Sequence, residues 1–125
     1  MTHDDVWTLT LETPSAARYL HIIRLTSAGA AAEAGLSADE IDDVKIAVDE
    51  LCSLVMAVAA DTDRLKMRFL ADENGITIET VGPPGGKLEV DELAEAILDA
   101  TVDELVLDDT TLGVGFRLTK HRTGG

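Results

Sequence analysis

A long stripe of apolar residues in the middle of the chain constrains the fold more than any other feature. Its members recur three or four residues apart, and they are Ile41, Val44, Val48, Leu51, Val55 and Val58. This spacing places them on one face of an α-helix, which other elements must cover. Ser37 and Glu40 precede the stripe in the arrangement of a capping box. The sequence therefore predicts a capped helix over residues 41–60 that packs against a core.

Segments of alternating polarity predict strands around this helix. They are residues 6–11, 64–69, 76–81, 105–107 and 114–118. Asp72-Glu73-Asn74-Gly75 is a turn sequence between two of these strands, with glycine where a positive φ is expected. A hairpin at this point requires antiparallel neighbours in the sheet.

Two further helices complete the predicted order β-α-α-β-β-α-β-β. The first is expected to begin with Thr13 as its N-cap and Pro14 as its first residue, and to end at Gly35. The second is a short acidic helix that begins near Lys87 and extends through Leu98. The predicted fold class is an α+β two-layer sandwich, a mixed or antiparallel sheet with helices covering one face. Residues 1–125 fit one domain, with residues 121–125 as a frayed tail.

The charge balance restricts the partners that this chain can bind. Ten Lys and Arg residues stand against 24 Asp and Glu, so the net charge is −14 at pH 7. Such a surface argues against nucleic acid and against an anionic membrane as main partners. The single cysteine, Cys52, and three scattered histidines predict no disulfide and no metal site. Because no signal peptide or spanning segment is evident, the expected location is the cytoplasm.

Three separated segments carry a family resemblance. Residues 42–53 (DDVKIAVDELCS) resemble the N-box helix of anti-sigma-factor serine kinases, which belong to the GHKL, or Bergerat-fold, ATPase superfamily. Residues 14–25 resemble the first helix of that family, and residues 116–121 resemble its last strand. The resemblance implies a histidine-kinase-like ATPase fold over nearly the whole chain.

The resemblance also implies a function and partners. Members of this family bind a sigma factor and hold it away from core RNA polymerase. Many phosphorylate a serine of an antagonist, the STAS-type anti-anti-sigma factor, with ATP and Mg²⁺. A homodimer is implied as well. The first helix would contribute to the partner surface, so Arg18 and Arg24 are the candidate partner-binding residues.

The nucleotide motifs of the family are degenerate here. Glu50 stands at the position of the glutamate that activates the nucleophile, but Leu54 occupies the position of the asparagine that binds Mg²⁺. Leucine has no oxygen, and Mg²⁺ requires oxygen ligands. Thr80 replaces the adenine-binding aspartate, while Gly82 is retained. Only residues 82–87 separate the strand from the next helix, which leaves little room for a lid, and two of them are proline.

These departures predict that ATP binding and kinase activity are weakened or lost, so neither ATP nor Mg²⁺ is an expected cofactor. Glu50 is then a relic general base or simply a helix carboxylate. For Arg18 and Arg24 an intramolecular ion pair is the alternative to partner binding. Cys52 is expected to be a small buried thiol.

Three functions remain open at this stage. The first is an anti-sigma factor that sequesters a sigma factor and is released by competition from the antagonist. The second is an active ATP-dependent serine protein kinase that phosphorylates the antagonist. The third is a dimeric scaffold that binds neither nucleotide nor sigma factor.

Overall fold

A five-stranded antiparallel sheet with three α-helices forms the architecture in a computed structural model, which describes residues 6–60, 62–81, 87–110 and 113–123. The strands are β1 (Trp7–Pro14), β2 (Arg64–Asp72), β3 (Gly75–Val81), β4 (Glu104–Thr110) and β5 (Gly113–His121). The helices are α1 (Leu20–Glu33), α2 (Ala38–Val58) and α3 (Glu92–Thr101), with a 3₁₀ turn at Ala17–Tyr19. The strand order is β1-β2-β3-β5-β4. The predicted α+β class and element order are confirmed.

The core lies between one face of the sheet and the helices, with α2 in contact with both α1 and α3. Met67, Thr80 and Phe116 pair across three neighbouring strands, so their side chains share the face towards this core. All three are buried. The opposite face carries the alternate residues of the same strands, among them Lys66, Arg68 and Arg117, which are exposed.

The start of α2 agrees with the sequence in detail. The Ser37 hydroxyl accepts a hydrogen bond from the Glu40 backbone N–H at 3.2 Å, and the Glu40 carboxylate accepts one from the Ser37 N–H at 2.8 Å. The capping box is therefore present. The four central residues of the stripe, Val44, Val48, Leu51 and Val55, are fully buried as predicted, and Ile41 and Val58 at its ends are half-buried.

The helix predicted from Pro14 begins six residues later, at Leu20. Strand β1 continues to Pro14, which pairs with Arg64, and the next residue donates its N–H to the Asp63 carbonyl. Thr13 caps no helix, since its hydroxyl donates to the Pro14 carbonyl. Sheet pairing has therefore overridden the local helix-start signal.

The acidic helix also begins later than predicted. Its first residue is Glu92, and Asp91 is the N-cap, accepting a hydrogen bond from the Ala94 N–H at 2.8 Å. Residues 82–86, including Gly82, lie outside the described part of the chain.

Residues 122 and 123, part of the tail that the sequence predicts to fray, form hydrogen bonds, while residues 124 and 125 lie outside the described part of the chain. The Arg122 N–H donates to the Asn74 carbonyl at 2.7 Å, and the Thr123 N–H donates to the Glu40 carboxylate at 3.0 Å. These bonds attach the segment after β5 to the β2–β3 turn and to the start of α2. Gly75 is required at that turn because a Cβ there would collide with the Lys120 carbonyl oxygen.

Candidate functional site

Helix α2 carries the two residues that the sequence assigns to nucleotide chemistry. Glu50 and Leu54 are one helical turn apart and both half-buried. The Leu54 side chain packs against the buried core. An aliphatic group that serves the core therefore stands where the resemblance requires a metal-binding amide.

Thr80 lies in the sheet, on the face towards the helices. It is 4% exposed, and its hydroxyl donates to the Lys66 carbonyl oxygen at 2.6 Å. This bond joins β3 to β2. The hydroxyl hydrogen is therefore already used in a bond to the backbone of the sheet. The side chain has no negative charge, so an acceptor bond to an adenine amino group would be weaker than one from aspartate.

The described residues at these positions do not fit Mg²⁺. Leu54 offers no ligand atom, and Mg²⁺ binds through carboxylate, carbonyl or water oxygens. Within the part of the chain that the structure describes, no three His, Cys, Asp or Glu side chains come together in a group that could hold a metal ion. Glu50 is thus the one candidate on this flank of α2 that retains a reactive group.

The two candidate partner-binding arginines have different surroundings. The Arg24 Nε donates to both carboxylate oxygens of Asp49 on α2, at 2.8 and 3.0 Å. This is the intramolecular ion pair that the sequence left open as the alternative for Arg24. Arg18 is exposed and lies over the Tyr19 ring, 5.0 Å from its centroid, with a 3.1 Å hydrogen bond to the Tyr19 hydroxyl.

An exposed apolar surface on α1 escaped the sequence analysis. Ile22 is 39% exposed and Leu25 is 69% exposed, and the exposed Arg18 lies in the 3₁₀ turn that precedes α1. Two exposed aliphatic side chains close in sequence to an exposed arginine give this end of α1 both apolar area and a cation. The helical period places Ile23 towards the core, where it is fully buried. The period does not show how far the apolar residues on the other faces of α1 are exposed.

The open face of the sheet carries cross-strand ion pairs. Arg68 lies 3.0 Å from Glu79, and Arg64 lies 3.1 Å from Glu12. A depression of about 350 Å³ opens on this face above Gly115. Because both pairs are exposed to solvent, they contribute little to stability. Their main effect is to keep this face of the sheet polar.

Cys52 is the buried thiol that the sequence predicted. It is fully covered, and its sulfur lies 3.9 Å from the Met67 sulfur. Burial, with a smaller contribution from the Asp49 charge, raises the pKa of this thiol to about 12. The thiolate is therefore not formed near neutral pH, and Cys52 is not a nucleophile.

Sequence comparison relates the chain to a set of bacterial kinases. A protein named serine-protein kinase RsbW from Bacillus subtilis (strain 168) is 29% identical, and the match covers 91% of this chain and 85% of the relative. A protein of the same name from Bacillus licheniformis (strain ATCC 14580) is 30% identical, covering 90% of this chain and 82% of the relative. The chain belongs to the RsbW family. The resemblance read from the three sequence segments is thereby confirmed.

Structure comparison gives the same fold. A crystal structure of the RsbU and RsbW domains of a Mycobacterium tuberculosis protein matches with a TM-score of 0.69 at 18% identity. That match covers 91% of this chain and 32% of the longer chain, so it supports the RsbW-type fold alone. No protein-family model matches the sequence. Among the described residues, no helix combines the length and hydropathy needed to cross a membrane.

Proposed function

We propose that this chain is an anti-sigma factor that sequesters a sigma factor by binding, with its kinase chemistry weakened or lost. Membership of the RsbW family supports a regulator of the partner-switching type. The observation that carries the finer proposal is Leu54, an aliphatic side chain packed on the core at the position of the metal-binding amide. The Thr80 hydroxyl, bonded to the Lys66 carbonyl, adds support because the adenine position has also lost its carboxylate.

The exposed surface of α1 is the proposed sigma-factor contact. It consists of Ile22 and Leu25 on α1 together with Arg18 in the 3₁₀ turn before it, and it is called the α1 surface below. Two exposed aliphatic side chains supply area that becomes buried on binding, and Arg18 supplies a planar group for a carboxylate of the partner. Arg24 is proposed to act indirectly, since its bond to Asp49 joins α1 to α2.

Release requires no phosphate transfer in this scheme. A STAS-type antagonist would compete with the sigma factor for an overlapping surface, and the regulator would work as a homodimer in the cytoplasm. The strongly acidic composition favours protein partners over nucleic acid or anionic lipid.

Reconstitution with the sigma factor and antagonist from the same cell tests the proposal. We expect the chain to bind the sigma factor with the same affinity with and without Mg²⁺-ATP, and to release it when antagonist is added without nucleotide. Radiolabelled ATP should leave the antagonist unlabelled. Labelling that disappears in a Glu50→Gln variant would contradict the proposal, because it would show that Glu50 still serves catalysis.

An active serine protein kinase is the second candidate, and one observation favours it. Glu50 remains half-buried on the flank of α2 where the family places its catalytic glutamate. The relatives that carry the name serine-protein kinase are matched over most of their length. The radiolabelling experiment separates the two candidates directly.

A further inference from the structure

The two edges of the sheet differ in charge. Strand β1 forms one edge and β4 forms the other. Residues 6–11 (VWTLTL), which include the first part of β1, carry no charge, whereas β4 (ELVLDDT) has three acidic residues. Charged side chains are a common means of keeping an exposed strand from pairing with another chain. The edge at β4 therefore has this protection, and the first part of β1 lacks it.

The free side of β1 presents backbone groups to solvent. In the described part of the chain, β2 is the only strand that pairs with β1. The Ser15 N–H donates to the Asp63 carbonyl in continuation of the β1–β2 register, and hydrogen-bonded and non-hydrogen-bonded pairs alternate along antiparallel strands. Thr8 and Thr10 are thus in non-hydrogen-bonded pairs with β2, so both direct their N–H and C=O groups away from the sheet. Thr8, Leu9 and Thr10 are all exposed.

A shallow groove of about 550 Å³ lies beside this edge, between β1 and the second half of α1. Trp7 and Leu9 line one side, Gly29 and Ala30 line the other, and Glu33 is the one charged residue among its described lining residues. Leu9 is 43% exposed, and a Cβ added at Gly29 would meet no atom within 4 Å. A strand added beside β1 would therefore have room for the side chains that it directs towards the helices.

We propose that this edge pairs with β1 of a second copy of the chain, antiparallel about a two-fold axis at Leu9. Residues 7–11 (WTLTL) read almost the same in both directions from Leu9, so the strand is complementary to itself. In this register Thr8 of each copy lies opposite the partner's Thr10. These are the residues with outward backbone groups, so each such pair exchanges both N–H···O=C bonds.

The side chains agree with the same register. On the helix side of the sheet, Leu9 meets the partner's Leu9, and Trp7 meets the partner's Leu11, so the contacts in the groove are apolar. On the open side, threonine pairs with threonine, which is a favourable combination across antiparallel strands. Glu12 lies opposite the partner's Val6 and not opposite another carboxylate. A shift of one residue would turn the apolar side chains to the opposite face.

Charge favours this edge as the site of contact between two copies. Each copy has a net charge of −14, so association must overcome repulsion. Pairing through β1 places the two acidic β4 strands at the far ends of a continuous sheet with five strands from each copy. The inference rests on the proposed function in one respect, because it gives the homodimer named there a contact surface.

Sedimentation equilibrium of the purified full chain measures the association without any partner protein. We expect a reversible monomer–dimer equilibrium. Its dissociation constant should fall about threefold or more when NaCl is raised from about 50 to about 500 mM, because salt screens the repulsion between the copies. A chain that remains monomeric up to millimolar concentration, or a dimer that salt weakens, would overturn the proposal.

A cysteine at the two-fold axis tests the register. Residues opposite each other in a non-hydrogen-bonded pair have Cα atoms about 4.5 Å apart, which is within the range of a disulfide. Leu9→Cys should therefore form a disulfide-linked dimer when oxidised glutathione is added. The native Cys52 should not react, because it is fully buried and the pKa of its thiol is raised to about 12.

Leu107→Cys is the matched control for this cross-link. Leu107 lies on the other edge strand, β4, faces the same side of the sheet as Leu9, and is 39% exposed. It should remain free of cross-linked dimer under the same conditions. Equal cross-linking of the two variants would reflect random collision and would overturn the proposed register.

Two further substitutions test the edge itself. Thr10→Pro removes an N–H that points away from β2, so it should weaken association about tenfold or more while the pairing of β1 with β2 is kept. Leu9→Glu, which places two carboxylates together at the axis, should do the same, whereas Leu107→Glu adds an equal charge at β4 and should leave association unchanged. Thermal unfolding checks that each variant is folded. A dimer unaffected by both β1 variants would lie elsewhere, and the proposal would be wrong.

A strand of the sigma factor is the other occupant that this edge could accept. A monomeric chain that loses sigma-factor binding in Leu9→Glu but not in Leu107→Glu would assign the edge to the sigma factor and reject the pairing of two copies. If the chain dimerises through β1 but binds no sigma factor, the proposed function fails and the strand pairing stands. If a monomeric chain binds the sigma factor, the strand pairing fails and sigma-factor binding stands.

Discussion

Helices α1 and α2 pack side by side, but the residues that they bury differ in size. The face of α2 that packs on the core buries large residues completely, as Val48, Leu51 and Val55 show, although Ile46 on another face is 48% exposed. α1 buries mainly small residues, among them Ser27 and Ala31, and exposes Ile22 and Leu25.

The difference indicates that α2 serves mainly to pack the core, whereas α1 keeps large side chains for contacts outside the chain. Small residues on the inner face of α1 allow the two helices to approach closely, so the core needs few large groups from α1. Its large groups are then available for contacts outside the chain. On α2 even Leu54, at the position that the family uses for a metal ligand, packs against the core.

The largest effect should follow from truncation within α2. Leu51→Ala should lower the free energy of unfolding by about 2–5 kcal/mol, because it leaves a cavity in a fully buried site. The same change on α1, Leu25→Ala, should alter it by less than about 0.5 kcal/mol. Urea denaturation of both variants measures the contrast, and equal losses would break the distinction between the two helices.

Truncations on the exposed side of α1, which should have little effect on stability, should have a clear effect on sigma-factor binding. Leu25→Ala, or Ile22→Ala, should weaken sigma-factor binding by about 1–2 kcal/mol, since each removes an exposed anchor of the α1 surface. Leu93→Ala is a suitable control because Leu93 on α3 is 70% exposed and lies outside the α1 surface. Surface plasmon resonance would measure the three affinities. An equal effect of Leu93→Ala would remove the special role of α1.

The capped start of α2 should give the stability a dependence on acid. Hydrogen bonds from the Ser37 N–H and from Thr123 lower the pKa of Glu40 from 4.5 to about 2. Because the folded-state pKa is the lower one, this stabilisation is complete above about pH 5 and is lost as pH falls from 4.5 towards 2. Glu40→Gln should cost about 1 kcal/mol at pH 7 and flatten the fall in stability over that acid range. Thermal unfolding at several pH values would record it, and an unchanged acid slope would count against the assignment.

The smallest effect concerns the link between the two helices. The Arg24 and Asp49 side chains remain 40% and 36% exposed, so their coupling should be roughly 0.5 kcal/mol and should decrease with salt. A double-mutant cycle with Arg24→Ala and Asp49→Ala gives this energy. A coupling above about 2 kcal/mol would mean that the pair is a principal attachment of α1 to α2.

The sequence predicted those parts of the fold that depend on neighbours along the chain. The capping box of Ser37 and Glu40 and the stripe of α2 need only a few residues of context, and both are present. The predicted start of α1 was wrong because the Thr13-Pro14 signal is local, whereas the pairing of Pro14 with Arg64 joins residues far apart in the chain.

The residues of the candidate site could be predicted from the sequence, but the contacts that surround them could not. Leu54 and Thr80 could be read as departures from a motif, but the bond from Thr80 to the Lys66 carbonyl depends on strand register. The pairing of Arg24 with Asp49 joins residues 25 apart, and the bond of Thr123 to Glu40 joins residues 83 apart. No periodic pattern encodes such contacts.

The affinity of the purified chain for Mg²⁺-ATP tests the central claim most directly. Isothermal titration calorimetry should detect no saturable binding, because Leu54 provides no oxygen to the metal and Thr80 has no carboxylate for adenine. Leu54→Asn alone should not restore kinase activity, since the adenine position remains changed. Saturable micromolar binding by the unmodified chain would contradict the account and favour an active kinase.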